Sequence, residues 1–133
     1  MRVVIDTNVS VAALRSPHGA SFLILKQLSR FTPLVSVPLF LEYEDVLKRP
    51  GTLKATGLGV EDMDVVLNML ARESDQVMIN FLWRPHLNDP KDDMVLEVAM
   101  NGQAHAIITH NTRDFRNCDM PIWTPKEFVE KLK

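Results

Sequence analysis

Four acidic side chains stand at separated points of this chain, each where a compact α/β fold would turn it toward one site. Asp6 directly follows the apolar run Val3-Val4-Ile5 and precedes Thr7-Asn8. Glu42 interrupts an otherwise apolar helical stripe. Asp93 ends Asp89-Pro90-Lys91-Asp92-Asp93, where a helix is expected to begin. Asp114 lies in Thr109-His110-Asn111-Thr112-Arg113-Asp114-Phe115, just past Ala106-Ile107-Ile108. Carboxylates gathered this way repel one another unless a cation sits between them. Oxygen-only donor sets select Mg²⁺ or Mn²⁺ over zinc or copper. The expected chemistry is metal-assisted hydrolysis of a phosphodiester.

Each acid also has a plain structural reading. Asp6 or Asn8 could simply cap a helix that follows the first strand, a role both residue types favour; on its own Asp6 fits either role equally. Glu42 is more telling. Leu39, Tyr43 and Val46 mark a buried helical face and Glu42 falls between them, while Glu44, Asp45, Lys48 and Arg49 are better placed for water. Glu44 is the fallback if the helical phase differs by two. In the third segment Asp89 fits an N-cap, Pro90 the first helical position and Asp92 the first turn, where acids complement the helix dipole. Asp93 is not needed for capping and adjoins the apolar residues Met94, Val95, Val98 and Ala99, so it is the expected metal ligand, with Asp92 in support. Asp114 would be unremarkable without its position after a strand expected beside that of Asp6. Thr109 and Asn8 are expected to hold the carboxylates in place. The four histidines show no ligand spacing, Cys118 reads as a small filler, and Trp83 reads as a packing residue that could also meet a substrate base.

These residues need a frame to position them. Arg2 to Ile5 reads as a buried strand, Leu34 to Val37 as a second, Val77 to Ile79 as a third, Ala106 to Thr109 as a fourth and Ile122-Trp123 as a fifth. Between them lie helical patterns: Ala20, Ile24, Leu28 and Phe31 at helical spacing, then Pro38 to Arg49, Val60 to Arg72 and Pro90 to Asn101, with Gly102 as a suitable residue past the helix end. Thr52 to Gly59 is poor in pattern and reads as irregular or weakly helical. Thr124-Pro125-Lys126-Glu127 is a capping box opening a last helix. Short apolar strands alternating with helices imply an α/β fold with a parallel sheet covered on both faces. Such sheets bind ligands outside the carboxyl ends of their strands, where Asp6, Asn111 and Asp114 would lie.

The chain has 133 residues, which suits a single domain over 1–133. Its one cysteine excludes an internal disulfide and a cysteine-based zinc site. No apolar run reaches the roughly 20 residues of a membrane helix, and the N-terminal apolar run is too short for a signal peptide, so a cytoplasmic protein with no membrane contact is expected. A net charge of −2 argues against gripping nucleic acid by bulk electrostatics. With four carboxylates committed to metal, however, the rest of the chain is net positive.

Taken in order, Met1-Arg2-Val3-Val4-Ile5-Asp6-Thr7-Asn8-Val9, Leu41-Glu42-Tyr43-Glu44-Asp45-Val46-Leu47, Asp89-Pro90-Lys91-Asp92-Asp93 and Ile107-Ile108-Thr109 through Asp114-Phe115 resemble the motifs of the PIN domain family over nearly the whole chain. The ending Ile122-Trp123-Thr124-Pro125-Lys126-Glu127-Phe128 is similar to the branch formed by toxin components of toxin–antitoxin systems, the VapC-like ribonucleases. The resemblance implies a three-layer sandwich around a parallel five-stranded sheet. It implies one or two Mg²⁺ or Mn²⁺ ions held by Asp6, Glu42, Asp93 and Asp114, endoribonuclease activity on RNA, a homodimer, and often a small antitoxin partner. One departure stands out: many relatives in this branch carry Asp where this chain has Asn111, which is neutral but can still ligate through its carbonyl oxygen or hold a water. Two rival readings remain. One is a catalytically silent module that binds RNA or protein. The other is a phosphatase with Asp6 as nucleophile, which the Asn at position 8 disfavours.

Overall fold

The computed structural model describes residues 1–80, 90–116 and 118–133. The elements run β1 (Arg2–Ile5), α1 (Thr7–Arg15), α2 (Ala20–Lys26), a 3₁₀ turn (Leu28–Arg30), β2 (Thr32–Val35), α3 (Val37–Leu47), α4 (Pro50–Thr56), α5 (Val60–Glu73) and β3 (Asp75–Gln76). After the undescribed stretch come α6 (Pro90–Asn101), β4 (Ala106–Ile108), a second 3₁₀ turn (Thr112–Phe115), β5 (Ile122–Trp123) and α7 (Pro125–Lys131). The five strands form one parallel sheet in the order β3-β2-β1-β4-β5. Consecutive residues of β1 and β4, whose side chains point to opposite faces, are all buried from Val3 to Ile5 and from Ala106 to Ile108. Both faces of the sheet centre are therefore covered, as the continuous apolar runs require. The expected α/β fold with a parallel five-stranded sheet between helices is the observed one.

Several boundaries differ from the sequence reading. The second strand is Thr32–Val35 rather than Leu34–Val37, because Ser36 turns the chain: its Oγ accepts the Leu39 amide at 3.2 Å and α3 starts at Val37. Of the two readings of Thr52 to Gly59, irregular or weakly helical, the helical one holds as far as Thr56. Pro50 opens α4 at its first turn and Gly57, at φ 75°, stops it. The helical spacing from Ala20 to Phe31 is split at Gln27, so Leu28 enters the core from a 3₁₀ turn. The third strand is Asp75–Gln76, paired with Leu34 and Val35, not Val77–Ile79. Apolarity there marked Val77 as buried rather than as part of the ladder, although its amide still donates to the Val35 carbonyl at 2.8 Å. Thr7–Arg15 had no pattern of its own in the sequence reading beyond the caps before it.

Two contacts hold the frame of the site. The Tyr43 hydroxyl, buried in α3, donates to the carbonyl of Ile5, the residue before Asp6. Its neighbour Glu42 is thereby fixed relative to the end of β1. At the other end, Gly102 follows α6 with an ordinary negative φ; the left-handed residue is Gln103, at φ 53°. Gly102 is there for space. A Cβ on it would lie 2.8 Å from Val77 Cγ2, 2.9 Å from the Val98 carbonyl and 3.0 Å from Leu34 Cδ1.

Gly102→Ala is expected to lower the unfolding free energy by about 1–3 kcal/mol through overpacking, because the Val98 carbonyl is backbone and cannot yield. Chemical denaturation reads this directly, and an unchanged midpoint would contradict it. Tyr43→Phe removes one buried hydrogen bond and should cost about 1 kcal/mol in the same assay.

Candidate active site

The register of β1 against β4 pairs Ile5 with Ile108, so Asp6 and Thr109 leave the sheet side by side at its carboxyl edge. The Asp6 amide donates to the Ile108 carbonyl at 2.9 Å. The Thr109 hydroxyl, fully buried, donates to Asp6 Oδ2 at 2.7 Å. That hydroxyl oxygen in turn accepts the Asn8 side-chain amide at 3.4 Å and the Asn111 backbone amide at 3.0 Å. Asn8 Oδ1 accepts the His110 backbone amide at 3.3 Å. The His110 ring shares a hydrogen bond of 3.0 Å with Ser21 Oγ. Thr109 thus holds the Asp6 carboxylate directly, and Asn8 reaches it through Thr109. Asp6 sits at the N-cap of α1 without the usual side-chain capping bond, although its carboxylate accepts the backbone amide of Thr7.

Burial pushes the Asp6 carboxyl above the usual carboxylate range, and repulsion from Asp114 adds to this; the Thr109 hydrogen bond and the nearby His110 oppose it. Asp114 is exposed on the second 3₁₀ turn, with its amide on the Asn111 carbonyl at 3.0 Å. His110 to Asp114 line a polar cavity of about 420 Å³. Phe115, fully buried, anchors this loop in the core.

The other acids come from α3 and α6, which pack on each other. Glu42 is largely buried, at 13% side-chain exposure, and faces Lys91 Nζ at 3.5 Å. Glu44 turns away to Lys48 at 3.1 Å, so the fallback assignment is not needed. Asp93 is buried at 2% exposure and is close enough to help raise the Cys118 thiol, whose main cause is burial. Asp92 is half-buried one residue earlier. Sequence reasoning missed Glu97, one helical turn past Asp93 and likewise 2% exposed. The signal was present: Met94 to Met100 is apolar apart from Glu97, and a helix apolar on all sides is a buried one. Asp89, Trp83 and His86 lie outside the described residues.

All of these donors are oxygens, which suits a hard divalent cation. Asp6 supplies the physical reason for one: its charge is disfavoured by burial and by Asp114, and a cation would relieve both. Among the described residues, no three His, Cys, Asp or Glu side chains come together closely enough to hold an ion as a set. The structure brings Asp114 electrostatically against Asp6, and sets Glu42 and Asp93 on neighbouring helices.

Among curated proteins none matches the chain. The fold is similar to that of two solved structures. One is VapBC2 from Rickettsia felis bound to a DNA fragment from their promoter, with TM-score 0.62 and 14% identity over 93% of this chain and 98% of that one. The other is VapBC-1 from nontypeable Haemophilus influenzae, with TM-score 0.64 and 16% identity over 95% of this chain and 99% of that one. At these identities the likeness is one of fold. The family model described as PIN domain matches residues 2–113, ending one residue before Asp114. With that match over most of its length, and with a parallel sheet that sets Asp6 against Thr109 at its carboxyl edge, the chain belongs to the PIN domain family.

Proposed function

We propose that this protein is a metal-dependent endoribonuclease and the toxin component of a toxin–antitoxin pair. The observation that carries the reading is Asp6: a largely buried carboxylate whose charge is unfavourable, braced by the Thr109 hydroxyl and repelled by a second acid, Asp114, which lines a polar cavity. Stability alone gives no reason to keep such a group. Mg²⁺ or Mn²⁺ would be held by Asp6, with Glu42, Asp93 and Asp114 as the other oxygen donors. When bound, the ion supplies an acidified water and draws charge from the phosphoryl oxygens.

The chain's own residues do the positioning. Thr109 occupies Asp6 Oδ2 and fixes the carboxylate rotamer. Asn8 and the Asn111 amide hold Thr109 in turn. Lys91 offsets the charge of Glu42, and Arg113 brings a cation to the cavity where phosphate would enter. The antitoxin and the second copy implied by this branch of the family both need an apolar face. α3 offers one: Val37 and Leu41, each 55% exposed, border a groove of about 220 Å³ with Phe40 and Ala71.

A silent binding module is the second reading. It is favoured by the neutral Asn111 and by the lack, among the described residues, of a closed set of three acids. Cleavage of a labelled RNA panel in Mn²⁺, Mg²⁺ or EDTA separates the two. No cutting, together with no rise in melting temperature on adding Mn²⁺, would establish the silent module. An aspartate nucleophile finds no support, since Asn8 uses both its amide nitrogen and its oxygen on Thr109 and His110.

Asp6→Asn is expected to abolish metal-dependent cleavage while leaving the fold intact; an unchanged rate would remove Asp6 from the site. The same variant should be more stable than the wild type in EDTA. A carboxyl whose folded pKa is raised destabilises the fold as pH climbs above its unfolded value of about 3.8, and the penalty is complete once pH passes the folded value. The stability gap should therefore widen as pH rises and close as pH falls toward 4 and below. Thermal melts across that range check it.

A further inference from the structure

A second cavity adjoins the candidate active site. It measures about 270 Å³ and is mainly apolar. Ala12, Gly19 and Ala20 line it on one side and Pro125 and Lys126 on another, with His110 among the lining residues. His110 also lines the polar cavity of the Asp114 loop, so the two spaces share one side chain as a common wall. That wall is fixed at both ends: its ring is held by Ser21 Oγ, which is buried, and its backbone amide by Asn8 Oδ1. Asn8 bonds Thr109, and Thr109 bonds Asp6, so the wall is tied through two side chains to the central carboxylate.

We infer that this apolar cavity is a subsite for one unstacked ribonucleobase, beside the phosphate that the Asp6 site would engage. The inference rests on the nuclease reading and deepens it by naming how the RNA is seated. A cavity of this size is smaller than those that enclose drug-sized ligands and suits a fragment such as a single base. Proteins that read single-stranded RNA splay bases out onto aromatic side chains, histidine included. Charge points the same way. Among the described residues neither Arg113, in the polar cavity, nor Lys126, in the apolar one, makes an ion pair. A nucleotide would satisfy the apolar space with its base and the two cations with its phosphates. An apolar side chain would fill only the former.

The test titrates the four ribonucleoside 5′-monophosphates and ribose 5-phosphate into isotope-labelled full-length protein, reading backbone amides by NMR. At least one nucleotide should move Gly19, Ala20 and Ser21 together with Arg113 and Asp114, while ribose 5-phosphate leaves Gly19 to Ser21 still. Two variants fill the cavity, Gly19→Leu and Ala20→Phe. Gly19 tolerates a side chain, since its φ is −84° and a Cβ would meet Ser16 at an ordinary 3.5 Å. Either filler should weaken nucleotide binding at least about tenfold, the scale of losing one base stack. Silence of Gly19 to Ser21 toward all four nucleotides would overturn the subsite and make the cavity a packing site for a protein partner. An equal response to ribose 5-phosphate, or binding that both fillers leave unchanged, also overturns it. RNA cleavage without any base response removes the subsite alone, whereas a base response without RNA cleavage removes the nuclease reading and leaves a nucleotide site.

Discussion

Parallel pairing of β1 with β4 sets the position of everything at the site. Because Ile5 and Ile108 are register partners, the next residue on each strand emerges at the same height, and one is an acid while the other is a hydroxyl donor. The buried hydroxyl gives the carboxylate one oxygen to bond and one fixed rotamer, and the loop after β4 then carries His110, Asn111 and Asp114 around it. A slip by one residue along β4 would put Ile108 opposite Asp6 and bury an apolar side chain where the donor belongs. Core packing guards against this: Ile107 and Ile108 are wholly buried, and a slip of β4 would carry each to the opposite face, into space shaped for its neighbour.

The site is also a place where stability is given up. Both Asp6 and the Tyr43 phenol are pushed up, chiefly by burial; repulsion from Asp114 adds to the first and the nearby Asp6 charge to the second. Glu42, Asp93 and Glu97 are all largely buried in α3 and α6. Among the buried acids Asp6 is the one whose charge burial and Asp114 set against the folding free energy. Lys91 beside Glu42 softens the cost locally. On the Asp114 loop Arg113 sets a cation beside the acid in the polar cavity.

Much of this was legible beforehand, and the reasons differ by element. Buried parallel strands announce themselves as continuous apolar runs, so β1, β4 and β5 were found at or near their true limits. The capping box at Thr124 and the proline at the start of α6 carry their own boundary signals. α4 was lost because its seven residues bury no side chain fully and so leave no periodic pattern. β3 was displaced because its two residues are exposed and polar, held by backbone bonds that no side chain reports. At the site, Asp6, Glu42 and Asp93 could be singled out as polar residues in apolar settings. Glu97 belongs to the same class but sits in mid-helix, away from the capping signals that mark out Asp93. The hydrogen bonds around Thr109 join residues about a hundred positions apart, and a pattern that looks along the chain cannot see them.

That separation also governs when the site exists. Asp6 and its hydroxyl donor are 103 positions apart, and β1 lies in the middle of the sheet, between β2 and β4. During synthesis β1 is made early, yet it stays without its β4 neighbour until most of the chain has emerged. Non-local pairings of this kind form late, after their loop-closure cost is met. A growing chain therefore holds the acid at position 6 long before it holds Thr109, Asn111 or Asp114, and any fragment ending before β4 lacks the donor and the loop altogether. Emergence of β4 with its loop and assembly of the site are therefore one event.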